Sequence, residues 1–98
     1  EIPNFRRKAH FSARYGITIE EYDALLSRQN GLCAICFGVP NGRGKRLHID
    51  HDHNTKKVRG LICHSCNTTL GHVKDRIAHL EALIDYLKRN QGEKIIGN

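Results

Sequence analysis

Hydrophobic and polar positions alternate along this chain with two periods, and the change of period divides it into helices around a short hairpin. Asn4 to Tyr15 reads as a short basic helix, with Asn4 as its cap and Gly16 as its stop, and Phe5, Phe11 and Tyr15 give it apolar positions to pack. The competing reading is a frayed basic terminus. Thr18-Ile-Glu-Glu21 matches a capping box, with Ile17 and Tyr22 placed as a hydrophobic staple. A helix therefore starts there, presents Tyr22, Leu25 and Leu26 on one side, and ends at Asn30-Gly31. Residues 39–45 hold one proline and two glycines in a polar stretch and predict a turn. Beyond it Leu47 and Ile49 alternate with polar neighbours as one strand, and Val58, Leu61 and Ile62 form a second, with Asp50 to Lys57 as the loop between. A helical turn follows through Asn67 and Leu70. Asp75 is then placed to cap a helix whose apolar residues Ile77, Leu80, Leu83, Ile84 and Leu87 recur with a period of about 3.6, stopping near Gly92. That stripe faces either a core or a partner.

These elements describe a small α+β fold without internal repeats. The expected division is a basic helix or arm over 1–16, a central unit over 17–74 and a C-terminal helix over 75–98. A chain of 98 residues buries little apolar surface, so a staple is expected. Cys33, Cys36, Cys63 and Cys66 supply it as two Cys-x-x-Cys pairs. A disulfide inside each pair would close a tiny ring and leave the segment between the pairs untied. A redox pair is the other use of such a motif, but paired knuckles read as a four-thiolate structural zinc site. Thiolates kept for zinc fit a reducing compartment. The first residues, Glu1-Ile-Pro-Asn4, lack the layout of a secretory signal, and no apolar run is long enough to span a bilayer, so a cytoplasmic protein away from membranes is expected.

Charge adds a candidate partner. Sixteen Lys and Arg against ten Asp and Glu give a formal net charge of +6 and a pI near 9.4. Such an excess favours polyanions through counterion release, although solvated lysines alone produce the same balance.

The chemistry is concentrated in His48-Ile-Asp-His-Asp-His53, where three imidazoles and two carboxylates occupy six residues. Phosphodiester hydrolysis needs a base for water and a Lewis acid for the charge building on phosphate oxygens. Histidine titrates close to neutral pH and suits the first role. A hard divalent ion such as Mg²⁺ or Mn²⁺ suits the second and takes oxygen ligands, of which Asp50 offers a carboxylate and Asn67 an amide. Asp50 and His51 would point to opposite faces of a regular strand, so a break in the pleat is required for both to meet one ligand. A second structural metal site, or a pH-sensitive surface patch, would use the same side chains.

In order along the chain stand Tyr15-Gly-Ile-Thr18, Asn30-Gly-Leu-Cys-Ala-Ile-Cys36, Leu47-His-Ile-Asp-His-Asp-His53, Lys57-Val-Arg-Gly-Leu-Ile-Cys63 and Cys66-Asn67. This series resembles the recombination endonuclease VII family of HNH nucleases. The resemblance spans residues 15–71 and implies a ββα-metal (His-Me) finger stapled by a four-cysteine zinc site, with flanking helices, and a DNA-cutting enzyme of bacteriophage type. It implies that His51 is the general base, that Asp50 and Asn67 bind the catalytic Mg²⁺ or Mn²⁺, and that His53 contacts the phosphate. Cys33, Cys36, Cys63 and Cys66 become its structural zinc ligands. Two positions depart from the family pattern. Leu70 stands where some relatives carry a carboxylate, and the strand from Val58 to Ile62 lacks the middle Asn of the HNH signature, for which Asn54 is a weak substitute.

Basic residues surround this motif: Lys45 and Arg46 before the first strand, Lys56, Lys57 and Arg59 around the second, and Arg6, Arg7, Lys8 and Arg14 near the N-terminus. They are candidate DNA contacts, with ordinary solvated charge as the alternative. The resulting expectation is a metal-dependent DNA endonuclease, a monomer in preference to a homodimer. Its rivals are a Holliday-junction resolvase acting as a dimer and a zinc-ribbon DNA-binding module without catalysis.

Overall fold

A computed structural model of the chain describes residues 11–89. Asn4, Phe5, Arg6, Arg7, Lys8 and the expected stop at Gly92 lie outside the described residues. The chain divides into two compact units, residues 1–68 and 69–98.

In the first unit, residues 11–15 are helical and the helix closes at Gly16, whose φ of +78° is a left-handed conformation that glycine adopts without steric cost. The Gly16 N–H donates to the Ser12 carbonyl at 2.9 Å. Helix α1 (Ile19–Arg28) begins at the capping box read from the sequence. The Thr18 N–H donates to Glu21 Oε1 at 2.8 Å, and the Glu21 N–H donates to Thr18 Oγ1 at 3.0 Å. It ends at Asn30 and Gly31, both at positive φ. The Gly31 N–H reaches back to the Leu26 carbonyl at 2.9 Å and that of Asn30 to Ser27 at 3.0 Å, the pairing of a Schellman motif. Phe11 packs against Tyr15 and, edge to face, against Tyr22, with ring centroids 4.8 and 5.8 Å apart. The Tyr22 hydroxyl donates to the Leu47 carbonyl at 3.1 Å, tying α1 to the start of the hairpin.

The hairpin pairs β1 (His48–His51) with β2 (Val58–Ile62) in antiparallel register. Asp50 and His51, expected in the connecting loop, lie on β1 itself. The register runs His48 to Ile62, Ile49 to Leu61 and Asp50 to Gly60, then jumps to His51 opposite Val58. Arg59 is thus skipped, a β-bulge in β2 that breaks the pleat between Asp50 and His51. The bulge, and not a loop, supplies the break in the pleat.

Helix α2 (His64–Val73) follows at once. The 39–45 turn lies against its start: Asn41 Oδ1 accepts from the Ser65 N–H at 3.2 Å. Gly42 (φ +84°) comes so close that a Cβ there would lie 2.6 Å from the Cβ of His64. Among the described residues of this unit, the buried apolar ones are Cys33, Leu47, Leu61, Ile62 and Cys63. Two of the five are cysteines, so this small core includes its own staple.

In the second unit Val73 is buried and α3 (Ile77–Arg89) is exposed along most of its length. Asp75 stands one residue before the N-cap position of α3. It sits at φ +57° and gives its N–H to the Leu70 carbonyl at 3.2 Å, closing the preceding helix. Arg76 takes the starting position instead: its carbonyl accepts from Leu80 at 3.1 Å, and its side-chain Nε donates to the Val73 carbonyl at 3.2 Å. Of the apolar stripe, Ile77, Leu83, Ile84 and Leu87 are exposed and Leu80 is half-buried. Among the described residues, no helix is long and apolar enough to cross a membrane.

Candidate active site and metal centre

The two Cys-x-x-Cys pairs converge. The sulfurs of Cys33, Cys36, Cys63 and Cys66 all lie within 4.8 Å of one another, and those of Cys36 and Cys63 are 3.8 Å apart. The first knuckle is closed by the Cys33 N–H to the Gly38 carbonyl (2.9 Å) and the Phe37 N–H to the Cys33 carbonyl (3.0 Å). Backbone amides also point at sulfur. Ile35 and Cys36 donate to Cys33 Sγ at 3.3 and 3.5 Å, and Cys66 donates to Cys63 Sγ at 3.4 Å.

These donors set the ionisation order. Burial pushes the Cys33 thiol up, but backbone hydrogen bonds at Cys36, Cys63 and Ile35 outweigh it and bring the thiol down to about 6. Cys63 is lowered chiefly by the backbone hydrogen bond at Cys66. Cys66 is pushed up to about 12, first by burial and then by the other three thiols. Four thiolates this close repel one another, and a divalent cation at their centre removes that repulsion. The four cysteines are thus positioned to bind a metal ion.

A second feature of the hairpin is an open cleft of about 580 Å³ lined by Ile49, Asp50, His51, Asp52, His53, Lys56 and Asn67, and by residues 13–16. Asp50, His51 and His53 reach it from β1 and the turn after it, and Asn67 from the first turns of α2, whose start is fixed by the second knuckle. The four residues singled out from the sequence therefore share one concavity.

Two contacts within the cleft were not readable beforehand. His51 Nε2 lies 2.9 Å from the carbonyl oxygen of Tyr15, at the end of the first helical segment. A carbonyl only accepts, so Nε2 carries the hydrogen and the lone pair of a neutral imidazole sits on Nδ1. Gly16 follows Tyr15 directly, and a Cβ there would lie 3.9 Å from His51 Nε2, an ordinary van der Waals contact, so its left-handed φ and not crowding is what favours glycine. The second contact is on Asp50: Arg59 Nε donates to Oδ2 at 2.6 Å and Nη2 to Oδ1 at 3.0 Å, a two-point ion pair.

The turn after β1 is organised by Asp52. Its Oδ1 accepts the N–H groups of Asn54 and Thr55 at 2.8 and 2.9 Å, and these amides hold the carboxyl below its usual range. The backbone of Asp52 pairs with Lys57 and Lys56, each at 2.8 Å. Asp52 therefore shapes the turn that carries His53 and Lys56. A second residue that sequence reasoning missed is Gln29. Its Nε2 donates to the carbonyls of Leu32 and Leu61, both at 2.8 Å, and its Oε1 accepts the Leu61 N–H at 3.0 Å. A side-chain amide here completes the outer edge of β2 and joins it to α1 and the first knuckle.

Of the basic residues proposed to meet DNA, Arg14 and Lys56 line the cleft, with the Arg14 guanidinium 5.5 Å from the centroid of the Tyr15 ring. Lys45, Arg46 and Lys57 are exposed and do not line it, and Arg59 is on Asp50. Arg6, Arg7 and Lys8 lie outside the described residues.

Residues 8–89 match the recombination endonuclease VII family. The chain belongs to that family. It is 49% identical over 86 residues to the Gene 59 protein of Mycobacterium phage D29, covering 87% of this chain and 52% of the relative. To the Gene 59 protein of Mycobacterium phage L5 it is 45% identical over 86 residues, with the same coverage of 87% and 52%. The chain thus spans about half the length of these relatives.

Proposed function

We propose that this chain is the nuclease unit of a metal-dependent DNA endonuclease of HNH, or ββα-metal, type. The observation that carries the reading is the cleft that Asp50, His51, His53 and Asn67 share, with His51 held through Nε2 by the Tyr15 carbonyl. Membership of the endonuclease VII family supports it.

In this reading His51 Nδ1 takes a proton from the attacking water as the oxygen closes on phosphorus. The bond to the 3′ oxygen breaks, and that oxygen leaves as a hydroxyl after taking up a proton, with the phosphate on the 5′ end. Asp50 and Asn67 present a carboxylate and an amide oxygen, a donor set that fits Mg²⁺ or Mn²⁺. When bound, that ion supplies charge neutralisation at the phosphate and leaving oxygens. His53, Lys56 and Arg14 hold the phosphate backbone at the rim, with Lys45, Arg46 and Lys57 as outer contacts. Zinc on Cys33, Cys36, Cys63 and Cys66 keeps the hairpin and α2, and so Asp50 and Asn67, in one frame.

The test is cleavage of supercoiled plasmid with Mg²⁺ by the wild type and by His51→Ala. Nicking should fall by about 10² to 10⁴ in the variant, while retained DNA binding and zinc content show an intact fold. Full activity in the variant sinks the assignment of His51. A wild type that binds DNA but leaves plasmid uncut with Mg²⁺ and Mn²⁺ points to the non-catalytic zinc-ribbon module.

The exposed stripe of Ile77, Leu83, Ile84 and Leu87 favours a second reading, a junction resolvase whose paired cuts need two copies. Sedimentation at micromolar concentration with a four-way-junction substrate separates the two. A monomer that cuts plain duplex as readily as the junction supports the simple endonuclease.

A further inference from the structure

Arg59 is the residue that the register skips, and its side chain, 38% exposed, grips both oxygens of a carboxylate that is only 14% exposed. Nε to Oδ2 at 2.6 Å and Nη2 to Oδ1 at 3.0 Å leave the guanidinium side-on to Asp50. In such a fork the two parallel N–H groups occupy the lone pairs on the inner side of the carboxylate. A cation binding Asp50 then either takes the remaining lone pairs beside a fixed positive charge, which opposes it, or displaces the guanidinium.

We propose that Arg59 is a stand-in for the divalent cation on Asp50: it neutralises the carboxylate before the metal arrives and is released by the metal to a DNA phosphate. This rests on Asp50 being a metal ligand, as set out above. Three features of the site favour exchange. Guanidinium and divalent metal are both cations that bind the same carboxylate, and their mutual repulsion drives one off as the other binds. The exposure of Arg59 gives its long side chain room to swing outward. The bulge places it beside the cleft that holds Lys56 and Arg14, where a freed guanidinium meets the polyanion with the planar, two-point geometry suited to phosphate. Metal loading is thereby coupled to DNA grip, because each released Arg59 adds one phosphate contact.

The test uses the zinc-loaded protein without DNA and follows Mn²⁺ binding by electron paramagnetic resonance. Arg59→Ala should bind Mn²⁺ about two- to fivefold more tightly than wild type, the size expected of a half-exposed two-point pair. Arg59→Lys keeps the charge but loses the fork, and should fall between the two. In the presence of Mn²⁺ and DNA, Arg59→Ala should bind duplex more weakly, with the number of phosphates inferred from the salt dependence lower by about one. Weaker Mn²⁺ binding by Arg59→Ala would overturn the proposal and make Arg59 a support that orients Asp50. Unchanged Mn²⁺ affinity overturns it as well. Asp50→Asn serves as the control for the parent reading: if that variant binds Mn²⁺ as well as wild type, Asp50 is no ligand and the assignment of the metal site itself fails. Zinc content and circular dichroism of each variant verify that the hairpin is folded.

Discussion

The carbonyl oxygen of Tyr15 and Nε2 of His51 lie 2.9 Å apart, joining the end of one helical segment to the last residue of β1. A main-chain atom thus fixes which imidazole nitrogen is free to accept a proton. Gly16, at φ +78° and next to the ring, lets the chain turn away immediately after that carbonyl.

Replacing Gly16 by valine should therefore damage catalysis more than stability. A β-branched residue at positive φ costs about 1 to 3 kcal/mol, which urea unfolding measures, and it shifts the Tyr15 carbonyl. We expect plasmid cleavage to drop at least tenfold with DNA affinity held. Equal activity in Gly16→Val and wild type would detach the Tyr15 contact from the chemistry.

With zinc on the four cysteines as proposed, its removal should unfold the first unit, because the described core is small and includes two of these cysteines. Addition of a strong zinc chelator should abolish the cooperative thermal transition, and zinc should restore it. Cys63→Ser should behave like the chelated protein. A chelated sample with an unchanged melting curve would show that the staple is dispensable.

Gln29→Ala deletes three hydrogen bonds, two of them to the backbone of the fully buried Leu61. The Leu61 carbonyl keeps the Ala34 N–H at 3.0 Å, but the Leu61 N–H loses its acceptor, and a buried donor left unpaired costs about 1 to 3 kcal/mol, so a loss of at least about 1 kcal/mol in chemical denaturation is expected. Gln29→Glu keeps the acceptor for the Leu61 N–H but sets a carboxylate against two carbonyls, and should be no more stable than the alanine variant.

Tyr22 provides the pH prediction. Burial raises its phenol above the ordinary value of 10.0, with Arg46 opposing and Asp23 adding to the shift. A folded-state value above the unfolded one means that the contribution is complete below pH 10 and is lost as pH rises through the folded value. Tyr22→Phe, which loses the bond to the Leu47 carbonyl, should be less stable than wild type by about 0.5 to 1.5 kcal/mol at pH 7. The gap should narrow above pH 10. A gap that widens there would reverse the sign of the argument.

Several features were legible because they are local. The capping box at Thr18 and Glu21, the stop at Asn30-Gly31 and the closure at Gly16 each depend on residues within a few positions of one another, and each is found where the pattern puts it. The Cys-x-x-Cys pairs carry their knuckle geometry in their spacing, and Asp50, His51, His53 and Asn67, picked out by residue type, line one cleft. Asp75 misled for an equally local reason. A short acidic residue before an apolar stripe resembles an N-cap, yet the closure of the helix before it claimed its backbone in a left-handed turn.

The amino-acid sequence by itself determined the start and stop of α1, the closure at Gly16 and the cysteine quartet positioned to bind a metal ion, since residue type and short spacing are enough for these. Only the tertiary structure decided that a bulge at Arg59 breaks the pleat beside Asp50, that Arg59 grips that carboxylate, that a tyrosine contributes its carbonyl to His51 and that Gln29 edges β2. Register depends on how two strands pair across a turn, and every residue has a carbonyl. Neither leaves a mark in residue type until the chain has folded.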